Sequence, residues 1–292
     1  MANLKEVRER IKSVIGTQQI TKAMKMVSAA KLRKAQNAIV QMRPYSVKLS
    51  QILSNIMANL EGDAGGAYGV QREIKTACVV VVTSSRGLCG AFNTNIIKSA
   101  VATIDSELSE VRKNGKLTIL CIGKKGYDFF RKRYKDCTII SDYVMTYNDP
   151  SFDNVAIASQ SVMDEFVAAK YDLVTISYGR FKNAAMQFAE TEQFLPVKRL
   201  EANASKTKSD YIFEPSKEQL LKTLIPNILQ TQFQKCVLDT IASEHGARMT
   251  AMDKATENAE GLLIDLRINY NKARQEAITK ELSEIVGGAA AL

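Results

Sequence analysis

The stretch LDTIASEHGARMTAMDKATENAEGLLIDLRINY, Leu238 to Tyr270, decides the fold. Leu238, Ala242, His245, Met249, Met252, Thr256, Ala259, Leu263, Leu266 and Tyr270 follow one another at alternating steps of four and three. The stripe begins upstream at Leu221, Leu224 and Ile228, is interrupted by polar Thr231 and Lys235, and continues to Ala273 and Ala277. Steps of three and four keep one face of a helix turned toward a partner helix. No proline follows Pro226, so the spacing predicts one helix over 227–286, running up to the Gly287-Gly288 pair. At 1.5 Å per residue such a helix is roughly 90 Å long. Local propensity rarely holds so long a helix in water, so a partner along its length is required.

The partner lies at the other end of the chain. Leu4, Val7, Ile11 and Val14 repeat the spacing; Ile20, Met24 and Val27 resume it after Gly16; Leu49, Leu53, Ile56 and Leu60 close it. Pro44 is expected to bend or break this helix near Arg43. The breaker cluster Glu61–Gly66 reads as a linker.

Between the ends the pattern changes. Thr76–Thr83 (TACVVVVT) is a β-branched apolar run, the mark of a strand buried on both faces. A helix over 93–111, a second buried strand over Leu117–Ile122, a helix over 126–134 and a short strand over 137–140 follow. An amphipathic helix over 151–170, a strand over 173–178 and an alternating edge strand over 185–191 complete the region. Strands and helices alternating at this rhythm indicate a mainly parallel sheet. The expected fold class is therefore α/β: a long antiparallel coiled coil of the N- and C-terminal helices with an inserted Rossmann-like domain. Its expected parts are an N-terminal coiled-coil helix (1–60), a linker (61–74), the globular domain (75–200), a connecting segment (201–215) and a C-terminal coiled-coil helix (216–292).

The 292 residues are 46% hydrophobic and 24% charged, with no run of about 20 apolar residues long enough for a membrane span. The basic, amphipathic N-terminus invites a transit-peptide reading. Glu6 and Glu9, and a stripe that continues into the body of the chain, favour mature sequence. Five cysteines without a C-x-x-C pair suit a reducing compartment and argue against a disulfide frame or zinc site. The net charge of +9 is concentrated at the start: residues 1–43 hold ten Lys and Arg against two Glu. Residues 215–292 hold nine basic and ten acidic side chains. A basic helix of this kind suits an anionic partner.

The most suggestive loop for chemistry is Ser84–Asn93, after the first strand and before a helix, where a phosphate-binding turn would sit. It matches neither G-x-x-x-x-G-K-[ST] nor G-x-G-x-x-G and reads as a tight turn without ligand. Cys89 would need a histidine partner as a nucleophile, but the only histidine, His245, lies in the long helix and reads as a packing residue. No carboxylate pair in the middle region has the spacing of a site. The Met24/Met26 and Met249/Met252 groups read as packing residues.

TQQITKAMKMV (Thr17–Val27), SRGLCG (Ser85–Gly90), ARMTAMDKAT (Ala247–Thr256) and YNKARQEAITKELSEIVGGAAAL (Tyr270–Leu292) together bring a resemblance. They resemble the signatures of the gamma subunit of F-type ATP synthases, and they span the whole chain. The resemblance implies a central rotor shaft that transmits rotation between a proton-driven c-ring and the nucleotide sites of an alpha/beta ring. It implies no catalysis, nucleotide site, metal or cofactor in the chain itself. The implied partners are the alpha and beta subunits, the epsilon subunit and the c-ring, with no nucleic acid and with the membrane reached only through partners.

By residue, the resemblance places Met24 opposite an acidic lever of the beta subunit, with Lys22 and Lys25 supplying complementary charge. Arg248, Gln275, Thr279 and Glu281 match coupling positions of the upper shaft. Tyr211, Ile212, Phe213 and Glu214 match the foot that meets the c-ring and epsilon. Lys25 stands where some relatives carry an acid, and the regulatory cysteine insertion of the chloroplast form is absent, so thiol control is not expected. Lacking a recognisable transit peptide, the chain is expected to be bacterial, peripheral on the cytoplasmic face of the inner membrane. Two other classes compete. A nucleic-acid-binding protein would use the basic helix, but no aromatic residues are interleaved with its charges. An α/β enzyme would use the Ser84–Asn93 turn, but no catalytic partner accompanies it.

Overall fold

A computed structural model describes residues 4–58, 66–197 and 217–289, with the side chains of 43, 46, 50–58 and 217–222 outside the description. The order is α1 (Leu4–Ala58), β1 (Ala77–Val82), α2 (Phe92–Glu107), α3 (Ser109–Lys113), β2 (Leu117–Ile122), α4 (Lys124–Arg133), β3 (Thr138–Ile140), α5 (Phe152–Val167), β4 (Leu173–Phe181), β5 (Gln187–Leu195) and α6 (Lys217–Ala289). Two compact units result: Ala30–Ala247, and Met1–Ala29 with Arg248–Leu292.

In the first unit the sheet order is β3-β2-β1-β4-β5, parallel except for the antiparallel edge strand β5. Every residue of β1 and β2 is buried, as their unbroken apolar runs require when both faces are covered. Period-two alternation sorts β1 between two cores. Val79 and Val81 pack with Ile96, Ala100 and Ile104 of α2 and Phe130 of α4. Cys78, Val80 and Val82 pack with Val155, Val162 and Phe166 of α5, and also with Ile225, Leu229, Phe233 and Val237 of α6. The start of α6 is thus one layer of the α/β unit as well as a helix of the chain's C-terminal end. Its Phe233 ring meets Phe194 of β5 edge-on at 5.6 Å. Burying each such side chain contributes about 1.5–3 kcal/mol.

Two local devices hold the strand ends. Asp172 Oδ2 accepts from the Lys75 amide (3.0 Å), the Thr76 amide (2.9 Å) and the Thr76 hydroxyl (2.9 Å), clipping the approach to β1 onto that of β4. Gly123, between β2 and α4, sits at φ +92°, where an added Cβ would lie 1.9 Å from the Thr83 carbonyl oxygen. Only glycine lets the two backbones approach so closely.

In the second unit, Thr21 and Thr256 share a hydroxyl hydrogen bond of 2.8 Å, and Lys25 pairs with Asp253. Four residues forward on α1 correspond to three residues back on α6, so the helices run antiparallel. On α6 the buried positions Met252, Ala259, Leu263 and Leu266 fall on the expected stripe.

Four expectations change. The α1 stripe does not shift after Gly16 to Ile20 and Val27, although Met24 is half-buried. It keeps its phase from Leu4, Val7, Ile11 and Val14 through Gln18, Thr21, Lys25 and Ser28. Ile20 is 62% and Val27 57% exposed, whereas Thr21 and Ser28 are buried. The physical reason is that hydroxyls able to pair across the seam satisfy one another, so polar residues can hold core positions there. Pro44 does not break α1, which is continuous through it. Its missing N–H and ring clash cost about 3 kcal/mol, and buried Ile39 and Leu49 anchor the helix on both sides. The helix expected over 93–111 is two, α2 and α3, parted at the fully buried Leu108. Finally, α6 starts before Pro226 and continues through Gly287 and Gly288. The segment 201–215 lies outside the described residues.

Candidate partner-contact surface

In the Ser84–Asn93 turn the Ser84 and Asn93 polar groups are spent within the loop, while the Ser85 hydroxyl is buried without a hydrogen-bond partner. The Ser84 amide donates to Asn93 Oδ1 (2.9 Å), the Ser84 hydroxyl donates to the Arg86 carbonyl (2.6 Å), and Asn93 Nδ2 donates to Ser84 Oγ (2.7 Å) and toward Cys89 Sγ (3.2 Å). Leu88 and Gly90 take positive φ to close it.

In an open parallel sheet a ligand enters where the strand order reverses, beyond the carboxyl ends of the strands. Here that point lies between β1 and β4, whose pairing ends at Val81 and Ser177. Just beyond it, the Gly179 amide donates to Thr240 Oγ1 (3.2 Å) and the Gly179 carbonyl accepts from the Ser243 hydroxyl (3.0 Å), both from α6. The next residue, Glu244, is buried and takes a hydrogen bond from the Tyr147 hydroxyl. Helix α6 thus occupies the crevice, and its hydroxyls complete the sheet edge where β1 stops.

The cysteines suit packing. Burial pushes the Cys78 and Cys236 thiols far above their ordinary range and Cys121 up to about 12. Half-buried Cys137 is raised to about 11, chiefly by burial and next by the Asp136 charge. Thiolate is the reactive form, so these environments disfavour nucleophilic chemistry. Cys89 is buried in its turn, and His245 is half-buried on α6. Among the described residues no group of three His, Cys, Asp or Glu could hold a metal ion.

The residues expected to meet partners are spread along the second unit. On α1, Lys22 is exposed, Met24 is half-buried, and Lys25 is engaged by Asp253 rather than directed wholly outward. On α6, Arg248 is buried, whereas Gln275, Thr279 and Glu281 are exposed, the Thr279 hydroxyl donating to the Gln275 carbonyl (2.9 Å). Tyr211, Ile212, Phe213 and Glu214 lie outside the described residues.

Sequence reasoning missed a second stripe. Ile264, Ile268, Ile278, Leu282 and Ile285 are all exposed, Ile285 by 68%. Asn271 and Gln275 hold the intervening positions of the same three-and-four spacing, so this face is an apolar track interrupted by two polar residues, on the side of α6 away from the seam. The same spacing was visible in the sequence, one residue beyond the seam at Leu263. The seam, being more regular, drew the reading first. Large exposed apolar faces on a helix mark contact with another molecule. Among the described residues no helix is long and apolar enough to cross a membrane.

Relatives agree across the full length. The family described as ATP synthase matches residues 3–292. The ATP synthase gamma chain of Flavobacterium psychrophilum is 53% identical over 292 residues, covering 100% of this chain and 99% of that protein. Among solved structures, a chain of the Euglena gracilis mitochondrial ATP synthase (OSCP/F1/c-ring, rotational state 3) is 25% identical with a TM-score of 0.65, covering 99% of this chain and 94% of that one. A second, from the rotor of the same enzyme in rotational state 1, is 26% identical with a TM-score of 0.61, covering 94% and 98%. With the sheet's crevice filled by its own helix and its relatives named alike along the whole sequence, the chain belongs to the ATP synthase gamma-chain family.

Proposed function

We propose that this chain is the central rotor shaft of an F-type ATP synthase, carrying rotation between a membrane c-ring and the nucleotide sites of an alpha/beta ring, with no bond chemistry of its own. The observation that carries the reading is the exposed apolar residues of α6: its seam is buried at Met252, Ala259, Leu263 and Leu266, yet Ile264, Ile268, Ile278, Leu282 and Ile285 form an interrupted track facing outward. A shaft enclosed by partner subunits needs such a track, and an isolated helical hairpin does not. Each orientation of an asymmetric shaft stabilises a different conformation of each surrounding subunit, so turning it changes their affinities for nucleotide.

In this reading Met24, Lys22, Lys25, Gln275, Thr279 and Glu281 meet the beta subunits, and Arg248, buried in the shaft, serves coupling from within it. Tyr211, Ile212, Phe213 and Glu214 meet the c-ring and epsilon. Helical segments 1–60 and 216–292 form the shaft, and 75–200 the globular domain. The complex is that of a bacterial inner membrane, with this subunit peripheral on its cytoplasmic face.

The test is ATP hydrolysis and ATP-driven proton pumping by the assembled complex carrying Met24→Lys. An added ammonium beside an acidic lever resists rotation, so protons pumped per ATP should fall while hydrolysis persists. Unchanged pumping per ATP sinks the Met24 assignment. Failure of the wild-type chain to assemble with alpha and beta subunits sinks the whole reading.

A further inference from the structure

We propose that α5 and the loop preceding it form a docking surface for a partner subunit, one that offers apolar side chains flanked by Lys and Arg. The proposal rests on the shaft reading only in placing the chain among other subunits. The surface itself is read from residues of the α/β unit.

Ala156, Gln160 and Asp164 follow one another at four-residue steps along α5, and Ile157 heads the neighbouring row. With Tyr143 and Gln230 of α6 they line an open groove of about 570 Å3. Gln230 donates to Gln160 (2.9 Å) and Gln160 to Asp164 (2.7 Å), so the two amides tie α6 to α5 along it. Ile157 is 61% exposed in this groove, and Phe152, one helical turn before Ala156, is 47% exposed. A lone exposed apolar residue is ordinary, but apolar residues grouped at a groove mark a contact site.

The charge around them says what fits. Residues 136–169 hold six acidic side chains and no Lys, Arg or His, in a chain of net charge +9. Asp142 adjoins Tyr143, Asp153 lies one turn before Ile157, and Asp164 lines the groove; all three are exposed. Among the described residues no Lys or Arg pairs with any of the three. The neighbouring cations are engaged elsewhere: Lys170 with Glu165 (2.6 Å), and Arg72 with the Phe166 carbonyl (3.2 Å). Such a rim repels phosphate, so nucleic acid and anionic lipid are poor occupants, whereas a protein segment bearing Lys and Arg is drawn to it. An apolar centre inside a polar rim is also how subunit contacts are built.

Photo-crosslinking tests the occupant in the purified complex. p-Benzoylphenylalanine is placed at Ile157, with Ser106, exposed on α2, as the control position. The Ile157 product should carry a peptide of another subunit with apolar residues and Lys or Arg close to the linked site, and the Ser106 product should not carry that peptide. The full chain alone gives a second reading, by titration with a fluorescent amphipathic peptide of leucine and lysine. Asp153→Asn with Asp164→Asn should weaken its binding roughly ten-fold and remove most of the salt dependence; Ile157→Ser should weaken it with the salt dependence kept. A complex that contains alpha and beta subunits but gives no Ile157 cross-link overturns the proposal and leaves the shaft reading standing. A product joining two copies of this chain, or a linked peptide without basic residues, also overturns it. So does equal binding of the leucine-lysine peptide by the native chain and the variants, whether or not the complex assembles.

Discussion

Two stretches of α6 live in opposite surroundings although one helix contains both. Between Ile225 and Ala247 nearly every side is covered: Phe233, Val237 and Ala242 are buried, and so are polar Thr231, Gln234, Asp239, Thr240 and Ser243. Beyond Arg248 only Met252, Ala259, Leu263 and Leu266 are buried, and from Glu281 to Ala289 all are exposed. The first stretch is a core element, hydrogen-bonded to sheet and loops; Gln234, for example, donates to the Pro150 carbonyl at 2.9 Å. The second is half of a two-helix pair. A helix held by one stripe depends on its partner, whereas a helix packed on a sheet depends on a whole domain, and substitutions should report that difference.

The largest contrast is expected from truncating one side chain in each stretch. Phe233→Ala empties a fully buried site against Phe194 and should cost about 3–5 kcal/mol, while Leu263→Ala in the two-helix stretch should cost about 2 kcal/mol because the pair can relax around it. Urea denaturation of the full chain, followed by circular dichroism, reads both. Equal losses would erase the distinction drawn between the two stretches.

A smaller effect distinguishes the units by pH. Burial pushes the Asp172 carboxyl up, but the Thr76 amide and hydroxyl and the Lys75 amide outweigh it and hold the group below its ordinary value. A carboxyl depressed in the folded state adds stability above its unfolded pKa of about 3.9, and that stability is lost as pH falls through the lower folded value. Asp172→Asn should therefore destabilise the α/β unit by about 1–2 kcal/mol at neutral pH, with the difference from wild type shrinking at acid pH. A difference that does not narrow on acidification would mean the carboxylate's charge is not what the clip uses.

The smallest effect is expected at the far end. Ending the chain after Gly287 shortens a helix whose last described residues, 281–289, are all exposed, and should change stability by less than about 0.5 kcal/mol. A larger loss would show that this end supports the pair after all.

Much of this architecture was legible because burial on both faces and burial on one face leave different periodicities. The runs ACVVVV and LTILCI mark β1 and β2, and the four-and-three steps of α6 mark the seam. The α1 seam was legible only to Val14, because beyond it Gln18, Thr21, Lys25 and Ser28 hold core positions while Ile20 and Val27 face out. Hydropathy followed the apolar residues onto the wrong face; unbroken phase from Val14 to buried Leu32, Ala35 and Ile39 was the signal that would have corrected it. The double role of α6 left a fainter trace still. Its start is apolar on too many sides for a two-helix seam, but which second surface it covers depends on contacts far away in sequence. For the contact residues, resemblance supplied positions on a helix, whereas burial now divides them: Arg248 is inside, Gln275 and Glu281 outside.

The use of α6 as a layer of the sheet has a consequence for synthesis. All five strands are complete once residue 195 has been made, yet the face of the sheet carrying Val80, Val82 and Phe194 lacks part of its cover until Phe233 and Val237 follow. At the usual pace of translation, roughly 5–20 residues per second, that apolar face waits for seconds beside the ribosome. During that interval the nascent chain carries an apolar sheet face whose missing cover only the start of its last helix supplies.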